Sequence, residues 1–137
     1  MFVNPGADVI KALLQRAKSI AMVGLSPQTT RPSHGVARHM QQFGYRVVPV
    51  RPMVQEVLGE KAYSSLTELP FPVDIVNVFR AAEHIPQLVE ECIQIECPVI
   101  WIQQGIIHEQ AARRANQAGL IVVMDRCIYR DYLELMI

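Results

Sequence analysis

Five short runs rich in Val and Ile recur along the chain, at Ile20 to Val23, Arg46 to Val50, Val73 to Phe79, Val99 to Ile102 and Leu120 to Met124. Each has the length of a strand, and each interval between them is long enough to hold a helix. Their apolarity is nearly continuous rather than alternating, which is what strands require when helices cover both faces of the sheet. Parallel neighbours also need crossover connections of a dozen or more residues, and these intervals supply them.

The intervals carry helical periodicity. Val36, Ala37, Met40 and Phe43 share one face of a segment that Ser33 can cap and Gly44 can end in a left-handed turn. Ile85, Leu88, Val89, Cys92 and Ile93 do the same after Glu83, and a third helix runs from about His108 to Ala118 before Gly119. An amphipathic helix with Val9, Ile10, Leu13 and Leu14 as its stripe precedes the first strand, and residues 127–137 have the length of a last short one. The segment from Pro52 to Pro72 is irregular, with a turn in LGEKAYSSLTELPFP and a short helix from Ser65 to Leu69. The pattern predicts an α/β, Rossmann-like three-layer fold in which helices flank a five-stranded parallel sheet. No repeat or linker divides residues 1–137, so one domain is expected.

Composition narrows the function classes. Lys plus Arg and Asp plus Glu each total 13, which gives no broad basic surface for nucleic acid. No apolar run approaches the roughly 20 residues of a membrane span. The opening MFVNPGADVI has no signal-peptide pattern, so a cytoplasmic protein with no membrane partner is expected. Cys92, Cys97 and Cys127 are odd in number and form no CxxC pair, which argues for ordinary thiols and against a zinc site.

In an open parallel sheet, ligands bind beyond the carboxyl ends of strands, so the five strand exits are where chemistry is expected. The first reads Gly24-Leu25-Ser26-Pro27-Gln28-Thr29-Thr30-Arg31-Pro32-Ser33 and leads into a helix amino terminus, whose free N–H groups and dipole favour phosphate oxygens. Gly24 permits close backbone approach, Ser26 and Ser33 offer hydroxyl donors, and Arg31 offers a guanidinium fork. The dinucleotide spacing GxGxxG is absent, because Ser26 and Pro27 stand where the second glycine would be followed by a free residue.

At the second exit, Val50-Arg51-Pro52, an arginine stands where an NAD-binding fold has an acid for the ribose hydroxyls, which favours a ligand with an additional phosphate. The third exit, Val78-Phe79-Arg80, offers a flat ring and a cation, although Phe79 is equally a core residue by type. The fourth places Gln103, Gln104 and Gly105 after a Trp101 expected to pack. The fifth, Met124-Asp125-Arg126-Cys127, has an adjacent acid and base that are expected to pair with each other rather than catalyse. His34, His39, His84 and His108 lack metal-ligand spacing and are expected to be exposed or to cap helices. No nucleophile and base with matching geometry follow from these residues, and no catalytic or metal-binding residue is assigned.

The segments GLSPQTTRPSHGVARHMQQFGYRVVPVRP, LGEKAYSSL, PVDIVNVFR, WIQQGI and VVMDRC, in this order, resemble the bacterial CoA-binding proteins of the YccU type over almost the whole chain. That family is similar to the amino-terminal CoA-binding domain of the succinyl-CoA synthetase alpha subunit. The resemblance implies coenzyme A binding. It does not imply ligase activity, since the synthetase carries its phosphorylated histidine in a further domain. It places Gly24, Ser26, Pro27, Arg31 and Ser33 around the pyrophosphate. Val50, Arg51 and Pro52 with Val78, Phe79 and Arg80 surround adenine and the phosphorylated ribose, and Gln103 and Gly105 border the pantetheine arm. Ser26 stands where the synthetase loop has a glycine.

The leading expectation is therefore a non-catalytic binder of coenzyme A or a short acyl-CoA, acting as a carrier, a sensor or a ligand-controlled module. An NADP-linked oxidoreductase is the enzymatic alternative, favoured by Arg51 and opposed by the broken glycine motif. A third possibility is an interaction domain without ligand, whose tail of Leu133, Leu135, Met136 and Ile137 docks an unidentified protein or a second copy. Cys127, just past a strand end, is a candidate for a mixed disulfide with the CoA thiol.

Overall fold

A computed structural model describes residues 1–137. Its main sheet contains β1 (Ser19–Val23), β2 (Arg46–Val50), β5 (Ile75–Val78), β6 (Val99–Ile102) and β7 (Ile121–Met124), and a small hairpin is formed by β3 (Glu56–Val57) and β4 (Glu60–Lys61). The helices are α1 (Ala7–Arg16), α2 (Pro32–Gln42), α3 (Ile85–Gln94), α4 (Glu109–Gln117) and α5 (Ile128–Met136). The spatial order is β2-β1-β5-β6-β7, and every pair is parallel. The chain leaves β1 toward one edge and returns through β5 toward the other, so the strand order reverses between β1 and β5. That reversal opens a crevice between their carboxyl ends. The expected α/β architecture is the one observed.

Side-chain alternation sorts the apolar runs into two cores. Ala21, Val23, Val48, Val76, Val78, Ile100 and Ile102 face α3 and α4. Ile20, Met22, Val47, Ile75, Val99, Trp101 and Val123 face α1, α2 and α5. Trp101 is completely buried and its indole N–H donates to the Arg126 carbonyl at 2.9 Å, so it packs, as expected from its type.

The edges are closed by different means. On β2, Pro49 has no N–H to offer a further strand, its carbonyl accepts from Tyr63 N (3.0 Å), and Arg51 N donates to Tyr63 O (2.8 Å). On β7, the side chain of Asn4 brackets Met124, donating to its carbonyl at 2.9 Å and accepting from its N–H at 2.8 Å. A single amide thus imitates a paired residue and covers an otherwise open edge.

Three local expectations change. The third and fifth strands are shorter than the apolar runs, because Val73 and Leu120 are buried for packing and lie outside the ladder. Before β5 the Asp74 carboxylate accepts from Lys18 N (2.7 Å) and Ser19 N (3.1 Å), substituting for strand pairing. The turn in the irregular segment becomes a hairpin through Leu58 and Gly59, with φ of 54° and 77°. Ser33 does not cap α2. The helix opens two residues earlier than a Ser33 cap would set, with Pro32 at its first position and Arg31 as the flanking residue, and the Ser33 hydroxyl turns back to accept from Ser26 N at 3.0 Å.

Candidate functional site

The crevice between β1 and β5 opens into two lobes that share Gly24, Arg51 and Phe79. One, about 350 Å³, is completed by Ser26, Gln28, Arg31, Pro32 and Ser33. The other, about 500 Å³, is completed by Pro52, Arg80, Ala81 and His84. Their walls therefore carry Arg31, Arg51 and Arg80 and no carboxylate. In a chain whose formal net charge is zero, that concentration of cations is a local arrangement and not a consequence of composition.

Each wall residue has a traceable cause. Gly24 has φ of 85°, and a Cβ there would lie 2.5 Å from the Phe79 carbonyl oxygen and 3.0 Å from Arg80 Cδ. Glycine thus lets the β5 exit cross the β1 exit at contact distance. Backbone bonds fix the crossing, with Gly24 N donating to Val50 O and Phe79 N to Val23 O, both at 2.9 Å. Ser26 Oγ accepts from Gln28 N at 3.1 Å, while Ser33 Oγ accepts from Ser26 N. Because each hydroxyl uses a lone pair on the loop, its proton remains to be donated. Arg31 Nε rests on Gln28 Oε1 at 3.4 Å, and Arg51 Nη1 on Gly24 O at 3.3 Å. The two guanidinium groups are positioned by neutral oxygens and keep their charge uncompensated.

Thirteen residues were expected to surround a ligand, and eight of them line the lobes: Gly24, Ser26, Arg31, Ser33, Arg51, Pro52, Phe79 and Arg80. The remainder lie elsewhere. Val50 and Val78 are buried in the core, with the Val50 carbonyl accepting from Gly24 N, and Pro27 is exposed. Gln103 is only 4% exposed and its side-chain oxygen accepts from Ile128 N at 3.0 Å, at the start of α5. Gly105 N donates to Asp125 Oδ1 at 2.7 Å. The fourth and fifth exits are thus laced to each other.

Asp125 and Arg126 do not pair with each other as expected. Asp125 has φ of 60° and turns toward Gly105, whereas Arg126 forms a two-pronged pair with the buried Asp131 at 2.6 and 2.8 Å. The hydrogen bond to Asp131 raises the Arg126 pKa and keeps that charge engaged. Among the histidines, His108 caps α4 through Nδ1 (3.1 Å from Ala111 N), which matches the expectation. His34 is 8% exposed, against expectation, and His39 stacks on Tyr129 at 4.2 Å. His84 lines the larger lobe and was not anticipated there. The available signal was its place in the segment that directly follows the third strand exit.

The cysteines are free. Burial pushes the Cys92 thiol well up, and burial also raises Cys97 to about 11, against the lowering effect of its backbone hydrogen bonds. Cys127 is half-buried at the entrance of α5. No helix is long and apolar enough to cross a membrane.

The protein named YneT of Bacillus subtilis is 48% identical over 125 residues, spanning 91% of this chain and 93% of the relative. A segment of the ADP-forming acetate–CoA ligase I of Archaeoglobus fulgidus is 32% identical over 75 residues, 55% of this chain but 11% of the ligase. A structure of a protein from Pyrococcus horikoshii superposes with a TM-score of 0.93 at 32% identity, over 99% of this chain and 98% of that one. One from Thermus thermophilus gives 0.91 at 36% identity, over 96% and 99%. The family described as a CoA binding domain matches residues 18–132 and takes in both lobes of the cleft. The chain is a member of that CoA-binding domain family.

Proposed function

We propose that this chain binds coenzyme A or a short acyl-CoA in the cleft between β1 and β5 and performs no chemistry of its own on it. The observation that carries this reading is the two-lobed cleft lined by Arg31, Arg51 and Arg80 without a carboxylate. Such walls suit a ligand with several phosphates, and the Phe79 ring between the lobes suits a nucleobase. The hydroxyl protons of Ser26 and Ser33 fit the pyrophosphate in the smaller lobe, while the missing side chain at Gly24 makes room for the β5 exit. The acetate–CoA ligase relative supports the ligand, but this chain spans only 11% of it, so its ligase reaction is not carried over.

The lining also favours binding without catalysis, since its hydroxyls, Ser26 and Ser33, stand in the smaller lobe and its imidazole, His84, in the larger, so that no nucleophile and base share a lobe. A role as carrier, sensor or ligand-controlled module follows, and free cysteines suit a reducing compartment such as the cytoplasm. Titration calorimetry with CoA and with NADPH tests the reading. CoA saturates one site, NADPH binds more weakly, and Arg31→Ala and Arg51→Ala each weaken CoA about tenfold or more, as expected for losing a charge-assisted bond to phosphate. Absence of CoA binding, or tighter NADPH binding, refutes it.

A further inference from the structure

We infer that the outer face of α5 pairs with the same face of a second copy of this chain. The pairing is two-fold and antiparallel, with Arg130 of each copy meeting Glu134 of the other and Leu133 meeting Leu133.

The inner side of α5 is engaged within the chain. His39 stacks on Tyr129 at 4.2 Å and Phe43 on Tyr132 at 4.0 Å, which fixes α5 against α2. Ile128, Leu135 and Met136 pack on the core. Of the apolar tail, this leaves Leu133 and Ile137 outward, 41% and 82% exposed. Arg130 and Glu134 are exposed as well. Positions 130, 133, 134 and 137 have the spacing of one helical stripe, so two apolar side chains and two opposite charges share an open face.

The charges are the wrong way round for their own helix. A helix is positive at its amino end and negative at its carboxyl end. Arg130 nonetheless stands in the first turn of α5, and the last turn carries Glu134 and no cation. Neither makes an ion pair within the chain. Arg126, which feels the Glu134 charge, is held by Asp131 at 2.6 and 2.8 Å.

An antiparallel copy exchanges the two ends. Arg130 then meets a carboxylate at a negative helix end, and Glu134 meets a guanidinium at a positive one. A parallel copy would set like charges opposite each other, so the face selects one orientation. A patch that carries its own complement is what a two-fold interface requires. One nine-residue helix is small beside a standard interface, so the dimer is weak, with a Kd on the order of 100 µM.

The test is sedimentation equilibrium of the full chain from about 10 µM to about 1 mM, a range that brackets this affinity. The wild type passes from monomer to dimer, and added salt weakens the association. Arg130→Glu and Glu134→Arg each lower the association constant at least about tenfold, because each sets like charges opposite at both ends of the contact. Mixed one to one, the two variants pair with each other, since every contact across the mixed dimer is again between opposite charges. Leu133→Ser weakens association without changing its salt dependence. Monomer throughout the range, a dimer indifferent to both charge reversals, or reversed chains that fail to pair when mixed each overturn the proposal. No residue lining the cleft lies on this face, so the outcome is independent of CoA binding.

Discussion

Replacing Gly24 with alanine adds a single carbon, and the structure allows its cost to be divided into parts. The backbone at Gly24 has φ of 85°, a region that costs an L-residue about 1 kcal/mol. The added Cβ would also stand 2.5 Å from the Phe79 carbonyl oxygen, and 3.1 Å from its carbon, in two segments held by the Gly24–Val50 and Phe79–Val23 backbone bonds. Relief requires the β1 and β5 exits to part, and overpacking of this kind costs about 1–3 kcal/mol more. The expected loss is about 3 kcal/mol, or roughly 10 °C in melting temperature for a chain of this size. Gly105→Ala is the matched control. Its φ is 87°, yet nothing lies within 4 Å of the position a Cβ would take, so only the backbone cost of about 1 kcal/mol applies. Urea unfolding of the two variants against the wild type measures both. A difference of about 2 kcal/mol between them isolates the contact with Phe79. Equal losses would refute the steric argument and leave glycine at position 24 a matter of φ alone.

Further outcomes follow from other parts of the molecule. Burial, with Tyr132 nearby, pushes the Tyr45 phenol up to about 12 from 10.0, and burial moves Cys97 to about 11 from 9.0. Both ionise less readily in the folded chain than in the unfolded one, so their stabilisation is complete below pH 9 and is lost progressively toward pH 12. Melting temperature is expected to fall across that alkaline range, and more shallowly in Tyr45→Phe; identical slopes would contradict the assignment to Tyr45. Ellman's reagent at pH 8 is expected to label one thiol promptly, Cys127, with Cys92 and Cys97 released only in denaturant, and prompt labelling of all three would show that the core is not closed around them. Asn4→Ala removes both bonds to Met124 at the β7 edge, which are expected to be worth about 1–3 kcal/mol together in urea unfolding; a change below about 0.5 kcal/mol would mean that water replaces the amide without loss.

The strand runs, the helix stripes and the turns at Gly44 and Gly119 were legible because each is a local pattern with a local cause. Val73 and Leu120 misled at the strand ends, since burial against a helix and membership of a ladder select the same residue types. The hairpin at Leu58 and Gly59 was visible only as a turn, because strands of two residues have no periodicity to read. Hydrogen bonds between distant side chains were invisible in principle. That Asn4 closes an edge at Met124, or that Arg126 passes over its neighbour Asp125 to reach Asp131, depends on where the fold brings them.

The same distinction explains which of the expected residues line the cleft. Gly24, Arg31, Arg51 and Arg80 belong to loops directly after β1, β2 and β5, and the strand order places just these exits around the switch point. Gln103 and Gly105 follow β6, on the far side of β5, where the amide of Gln103 holds the start of α5 and Asp125 holds Gly105. Polar residues at a strand exit therefore have two possible uses, facing a ligand or fastening the neighbouring helix, and composition alone does not separate them. Charge does. The guanidinium groups of Arg31 and Arg51 at the cleft meet neutral amide and carbonyl oxygens, while Arg126, at the other end, is matched by a buried carboxylate. An arginine with a partner carboxylate is structural here, and an arginine left uncompensated beside a glycine crossing is free to meet phosphate.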